Sequence, residues 1–139
     1  LFRDLADNAP VLVWLAGPDG GCTYFNRVWL AFTGRTLEQE LGDGWADSVH
    51  PDDRPQALAG YRAALRARQP VNLEYRLRRA DGAYRWVIDT GIPRVSDDGT
   101  FRGYIGSVLD ITDRRLAEEA HRRSEMLFRG VWERSHDGM

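Results

Sequence analysis

Val71-Asn72-Leu73-Glu74-Tyr75-Arg76-Leu77-Arg78 alternates apolar and polar residues without a break, and Asp81-Gly82 follows it. In an extended chain successive side chains point to opposite faces. The run therefore predicts a strand with Val71, Leu73, Tyr75 and Leu77 on a core and its polar partners in water. Asp-Gly is a tight-turn pair, so Tyr84 to Pro93 returns as a second strand. Asp97-Asp98-Gly99 repeats the signal, and Phe101 to Ile111 reads as a third. The result is an antiparallel meander.

Before it, the pattern is mixed. Val11 to Ala16 is a short apolar run, followed by Gly17-Pro18-Asp19-Gly20-Gly21 and the strand-forming Cys22 to Phe25, which reads as a hairpin. Arg27 to Phe32 reads as a helix closed by Gly34. Thr36 to Leu41 reads as another, with Thr36 as N-cap and Gln39 completing a capping box. His50-Pro51-Asp52-Asp53 reads as a helix start, with both carboxylates placed for the positive end of the dipole. The helix it opens runs to about Arg68, with Leu58, Tyr61, Ala64 and Leu65 on one face. The order of elements predicts an α+β fold, with short helices and one longer helix on one face of a five-stranded antiparallel sheet.

After Asp110-Ile111-Thr112 the period becomes helical again. Leu116, Ala120, Leu127 and Val131 form a stripe, interrupted at Arg123-Ser124, on an otherwise charged helix. Such a helix buries little alone, and it predicts a homodimer formed through the exit helix, residues 112–127. A helix packed back on its own domain is the alternative.

Composition is that of one globular domain: 139 residues, 42% hydrophobic and 29% charged. A net charge of −2 gives no drive toward nucleic acid. The longest apolar run, Val11 to Ala16, is far short of a membrane span, so no direct membrane insertion is expected. Cys22 is the only cysteine, which rules out an internal disulfide and suits a reduced, cytoplasmic setting. There is no lysine, so no Schiff-base chemistry is available. No Ser/His/Asp arrangement, phosphate loop or metal-ligand spacing occurs, and the chain is expected not to be an enzyme, with no catalytic or metal site. Leu1-Phe2-Arg3 recurs as Leu127-Phe128-Arg129, with Asp7-Asn8-Ala9-Pro10 loosely matched by Arg134-Ser135-His136-Asp137. This predicts a domain over 1–112, a linker helix over 113–126, and the start of a second module over 127–139. On this reading the chain is a piece of a longer protein.

Taken together, Tyr24-Phe25-Asn26, Phe32-Thr33-Gly34, Trp45, His50-Pro51-Asp52-Asp53, Glu74-Tyr75-Arg76-Leu77-Arg78, Asp81-Gly82 with Arg85-Trp86-Val87, and Gly106-Ser107-Val108-Leu109-Asp110-Ile111-Thr112 resemble the PAS fold over residues 1–112. The likeness is to the sub-family marked by His-Pro-Asp-Asp. It implies a sensory module of bacterial signalling proteins such as histidine kinases, cyclases or phosphodiesterases. It also implies that the junction Asp110, Ile111 and Thr112 passes a signal to the exit helix and on to a neighbouring PAS or output domain.

The flavin-binding LOV branch carries a reactive cysteine before the long helix, and Leu41-Gly42-Asp43-Gly44-Trp45 has none. Aligned on the Asp-Gly turn, the flavin-facing amides of that branch fall on Leu77 and Val87, and its glutamine on Val108. A flavin edge against apolar side chains loses about 1–3 kcal/mol per unpaired polar atom. Haem-binding members place a histidine on the long helix, and residues 54–69 contain none. No cofactor is therefore expected. On the same alignment Leu73, Tyr75, Leu77, Val87, Tyr104 and Val108 face inward from the strands, with Phe32, Trp45, Leu58 and Leu65 from the helices. These residues either line a pocket for a small apolar ligand or fill one another's space. Asp89 shares the face of Val87, and an inward carboxylate there requires a partner. The two resulting functions are a ligand-binding sensor and a ligand-free relay and dimerisation module.

Overall fold

The computed structural model describes residues 2–8 and 10–137. Helix α1 (Phe2–Asn8) precedes the hairpin β1 (Leu12–Ala16) and β2 (Cys22–Phe25). Helices α2 (Arg27–Thr33) and α3 (Leu37–Glu40), a 3₁₀ turn at Gly44–Ser48, and α4 (Arg54–Ala67) follow. The meander β3 (Val71–Arg78), β4 (Tyr84–Val95) and β5 (Phe101–Asp110) leads into α5 (Thr112–Asp137). The sheet has five strands in the order β2-β1-β5-β4-β3, every pair antiparallel. The last strand lies beside the first, so the hairpin and the meander close into one sheet. Among the described residues no helix is long and apolar enough to cross a membrane.

Local chemistry accounts for the helix ends. Thr36 and Gln39 make both halves of the capping box, and Gly34 ends α2 in the left-handed region at φ 70°. The entry to α4 differs from expectation. The helix begins at Arg54, one residue after the His-Pro-Asp-Asp run, and Asp53 makes no capping bond. Its carboxylate turns instead to Arg76, whose guanidinium and backbone N–H it accepts at 2.8–2.9 Å. A fork of two charge-assisted bonds outweighs one cap bond to a neutral amide. His50 serves the turn before the helix: its Nδ1 accepts the Asp52 N–H at 3.0 Å.

The inner face of the sheet carries the main core, with α2, α4 and the 3₁₀ turn packed over it. Helix α1, which no periodicity announces, lies on the opposite face, where Ala6 packs with Val13 and Tyr24. Asn26 fastens these layers together from a fully buried position. Its amide donates to the carbonyls of Ala6 and Val11 at 2.8 and 2.7 Å, and its oxygen accepts from Val13 and Trp29 at 3.0 and 3.1 Å. All four partners are backbone groups that would otherwise be unpaired at the ends of α1, β1 and α2. Asn26→Ala is expected to lower the unfolding free energy by about 3 kcal/mol in urea titration, the sum of several buried bonds at roughly 1 kcal/mol each. A loss under about 1 kcal/mol would show that water replaces the clamp.

Candidate functional site

Asp89 lies on β4 with 5% of its surface exposed. Trp14 of β1 donates its indole N–H to one carboxylate oxygen at 2.7 Å, and Tyr75 of β3 donates its hydroxyl to the other at 2.8 Å. Neither donor is charged. Burial pushes the Asp89 carboxyl up to about 6, against the two hydrogen bonds that favour its ionised form.

Trp14 reaches this carboxylate because two glycines leave it room. It pairs across the strands with Gly106, which pairs in turn with Gly91. A Cβ at Gly106 would fall within the indole ring, and one at Gly91 would stand 2.9 Å from its edge. The ring therefore lies across the β5 and β4 backbones rather than standing away from the sheet. A glycine inside a strand commonly marks such a close approach.

Around this centre the interior is aromatic. Trp14 and Tyr61 meet edge to face at 6.0 Å, as do Trp45 and Tyr61 at 5.9 Å. Tyr104 joins Tyr61 at 6.1 Å and Phe101 at 5.5 Å, so the contacts run unbroken from Trp45 to Phe101. The tyrosine hydroxyls end on backbone carbonyls: Tyr61 on Gly20 at 2.5 Å and Tyr104 on Gln69 at 2.6 Å. What remains is a cavity of about 10 Å³ bordered by Trp14, Cys22, Phe25, Trp29, Trp45, Tyr61, Leu73 and Asp89. That is the threshold for a single water. Cys22 is buried here, and desolvation pushes its thiol far above the ordinary range, so it is not a ready nucleophile.

The junction with α5 is a second cluster. Asp110 accepts the Thr112 N–H at 2.9 Å and the Arg85 guanidinium at 2.7 Å. Ile111, 3% exposed, donates its N–H to the Trp86 carbonyl at 2.8 Å, and the Thr112 hydroxyl accepts the Trp86 N–H at 2.8 Å. The first turn of α5 is thus bonded to β4 through backbone and side chain together.

A family profile described as PAS fold matches residues 23–108. The chain belongs to the PAS family. A PAS domain is not itself an enzyme. An uncharacterized protein, y4lL, of Sinorhizobium fredii is 51% identical over 118 residues, which are 85% of this chain and 14% of that protein. The peroxide stress-activated histidine kinase mak1 of Schizosaccharomyces pombe is 30% identical over 134 residues, covering 90% of this chain and 8% of that protein. The chain thus spans a small part of the length of the curated relatives it matches. Among solved structures, a sensory box histidine kinase/response regulator from Burkholderia thailandensis superposes with a TM-score of 0.64 at 31% identity, over 92% of this chain and 97% of that one. This PAS domain is similar to those of sensor histidine kinases.

The candidate pocket residues divide. Trp45, Leu73 and Asp89 border the small cavity. Tyr75, Leu77, Val87, Tyr104 and Val108 are fully buried in the core around it, while Phe32, Leu58 and Leu65 are partly buried at its margin. Trp14, Cys22, Phe25, Trp29 and Tyr61 complete the lining. Trp14 stands in an apolar run with no alternation to reveal its face, and the signal that could have marked it is the glycine pair on two later strands. The interior does not fit a flavin. Leu77, Val87 and Val108 offer no hydrogen bonds to its polar edge, and the indole of Trp14 lies across the centre of the sheet.

Because the folded value of Asp89 lies above that of an unfolded carboxyl near 4, its contribution to stability is fully present below about pH 4 and is lost as pH rises through about 6. A rise from about 4 to about 6 corresponds to about 3 kcal/mol. Asp89→Asn should remove this component. Urea unfolding from pH 4.5 to 7.5 is expected to show wild-type stability falling relative to the variant, and parallel curves would refute the assignment.

Proposed function

We propose that this PAS domain is a signal-relay module of a multi-domain signalling protein, a histidine kinase or a cyclic-dinucleotide enzyme, that operates without a resident ligand. The observation that carries this reading is the filled interior. A drug-sized ligand needs several hundred Å³, and the lining residues leave about 10 Å³. The relay element is α5, whose first turn is bonded to β4 through Asp110, Ile111 and Thr112.

Pairing with a second copy along α5 is part of the same proposal. Leu116 is 58% exposed, and Met126, Leu127 and Phe128 are about 70% exposed. On a helix this charged, Leu116 and Leu127, eleven residues apart and so on one face, support a helical partner. The repeat of Leu-Phe-Arg supports a further module after this one, and α5 continues without interruption through that repeat. The loosely matched residues 134–137 and the stripe residue Val131 have side chains outside the described residues. The single buried cysteine suits a reducing, cytoplasmic setting.

One observation favours the sensor reading instead. Among the described residues the Trp45 indole N–H is buried with no acceptor, and its ring borders the same cavity as Asp89, a carboxylate with no cation beside it. A small ligand offering an acceptor and a donor would answer both.

Native mass spectrometry of the purified chain separates the two. The relay reading expects the mass of the polypeptide alone, and retained excess mass would overturn it in favour of a ligand sensor. Truncation after Ile111 is expected to convert a dimer to a monomer in light scattering. A truncated chain that remains dimeric would place the interface elsewhere.

A further inference from the structure

The outer face of the sheet carries an indole with two guanidinium groups over its ring. The Cζ atoms of Arg76 and Arg115 lie 5.2 and 3.8 Å from the ring centroid of Trp86. Each arginine has a carboxylate beside it, Glu74 being shared with Arg114. Asp53 grips Arg76 through a fork at 2.9 and 2.8 Å. Glu74 lies 3.5 Å from Arg115.

These residues come from separate elements. Asp53 is the residue before α4, Glu74 and Arg76 are on β3, Trp86 is on β4, and Arg115 is in the first turn of α5. The backbone of Trp86 carries α5 as well, through Ile111 and Thr112. At the other end, α4 inserts Ala57 and Tyr61 into the core about one and two turns beyond Asp53. The side chains thus form a continuous line from the helix that covers the interior to the helix that leaves the domain. Arginine suits each step, since its planar group can fork to a carboxylate and stack on a ring at the same time.

We propose that Trp86 is the plate through which the start of α4 positions the exit helix. Asp53 sets Arg76, Arg76 and Arg115 share the indole, and the seating of the first turn of α5 follows. Trp86, Arg76 and Asp53 are positioning residues in this scheme. The proposal rests on α5 as the output element. That reading is tested by oligomeric state without reference to Trp86, so the two can fail separately.

Asp53 touches no residue of α5 in any of these contacts, which makes it the discriminating position. Hydrogen exchange of the full chain would be followed at the amides of residues 116–120, in the second turn of α5. Trp86→Leu and Arg115→Gln, which remove direct contacts, are expected to speed exchange there roughly tenfold. Asp53→Asn is expected to speed the same amides roughly threefold, and the double variant Asp53→Asn with Arg115→Gln to exchange no faster than Arg115→Gln alone. Arg62→Gln, which breaks an exposed ion pair with Asp43 elsewhere, should change nothing there. If Asp53→Asn does not fold, Arg76→Lys keeps the charge, loses the fork and carries the same expectation. Wild-type rates at 116–120 in Asp53→Asn, additive effects in the double variant, or a uniform rise across β3 to β5 would each overturn the proposal. Any of these would leave Asp53 with only a local or global structural role.

Discussion

Three strands converge on the carboxylate of Asp89, and it has neutral donors on both oxygens. A buried charge without a cation is costly, and it persists here because Trp14 and Tyr75 are aimed at it by packing rather than by a local turn. Trp14 reaches it only by lying across Gly106 and Gly91. Once the indole is down, the space above the sheet centre is taken, and Tyr61, Trp45 and Tyr104 complete an aromatic array around it. The near absence of free volume follows from that one contact.

The two faces of the sheet therefore use different physics. The inner face is aromatic and almost dry, where dispersion and a few directed hydrogen bonds decide geometry. The outer face is partly exposed and built on arginine: Arg76 with Asp53 and Trp86, Arg115 with Glu74 and Trp86. Single exposed ion pairs contribute about 0–1 kcal/mol. Linked pairs that share a ring and a backbone junction can nevertheless hold a helix in one orientation. A chain without lysine makes all of these contacts with the residue type best able to fork and stack.

The meander was legible in the sequence because its cause is local. A period of two over Val71 to Arg78 and Asp-Gly turns at 81–82 and 98–99 specify strands and reversals wherever they occur. The capping box at Thr36 and the glycine after α2 were legible for the same reason. Helix α1 was not, since its seven residues show no periodic stripe and it is held by Asn26 and by Ala6 against Val13 and Tyr24. The entry to α4 departs from the local pattern at Asp53, because the competing partner, Arg76, lies 23 residues away. The inward side chains of β3 to β5 followed from alternation, whereas half of the cavity lining came from residues whose neighbours show no period.

By itself the sequence determined the strands, the turns, the end of α2, the start of α3 and the family, because each depends on side-chain types at fixed short spacings. Only the tertiary structure decided how the interior is packed. How closely the inward aromatic residues fill it depends on where Trp14 can lie. That depends on two glycines, 77 and 92 positions further along the chain, meeting it across strand pairings. The same holds for the path from Asp53 to Arg115, since contacts between elements have no period and arise only when the sheet brings distant side chains to one surface.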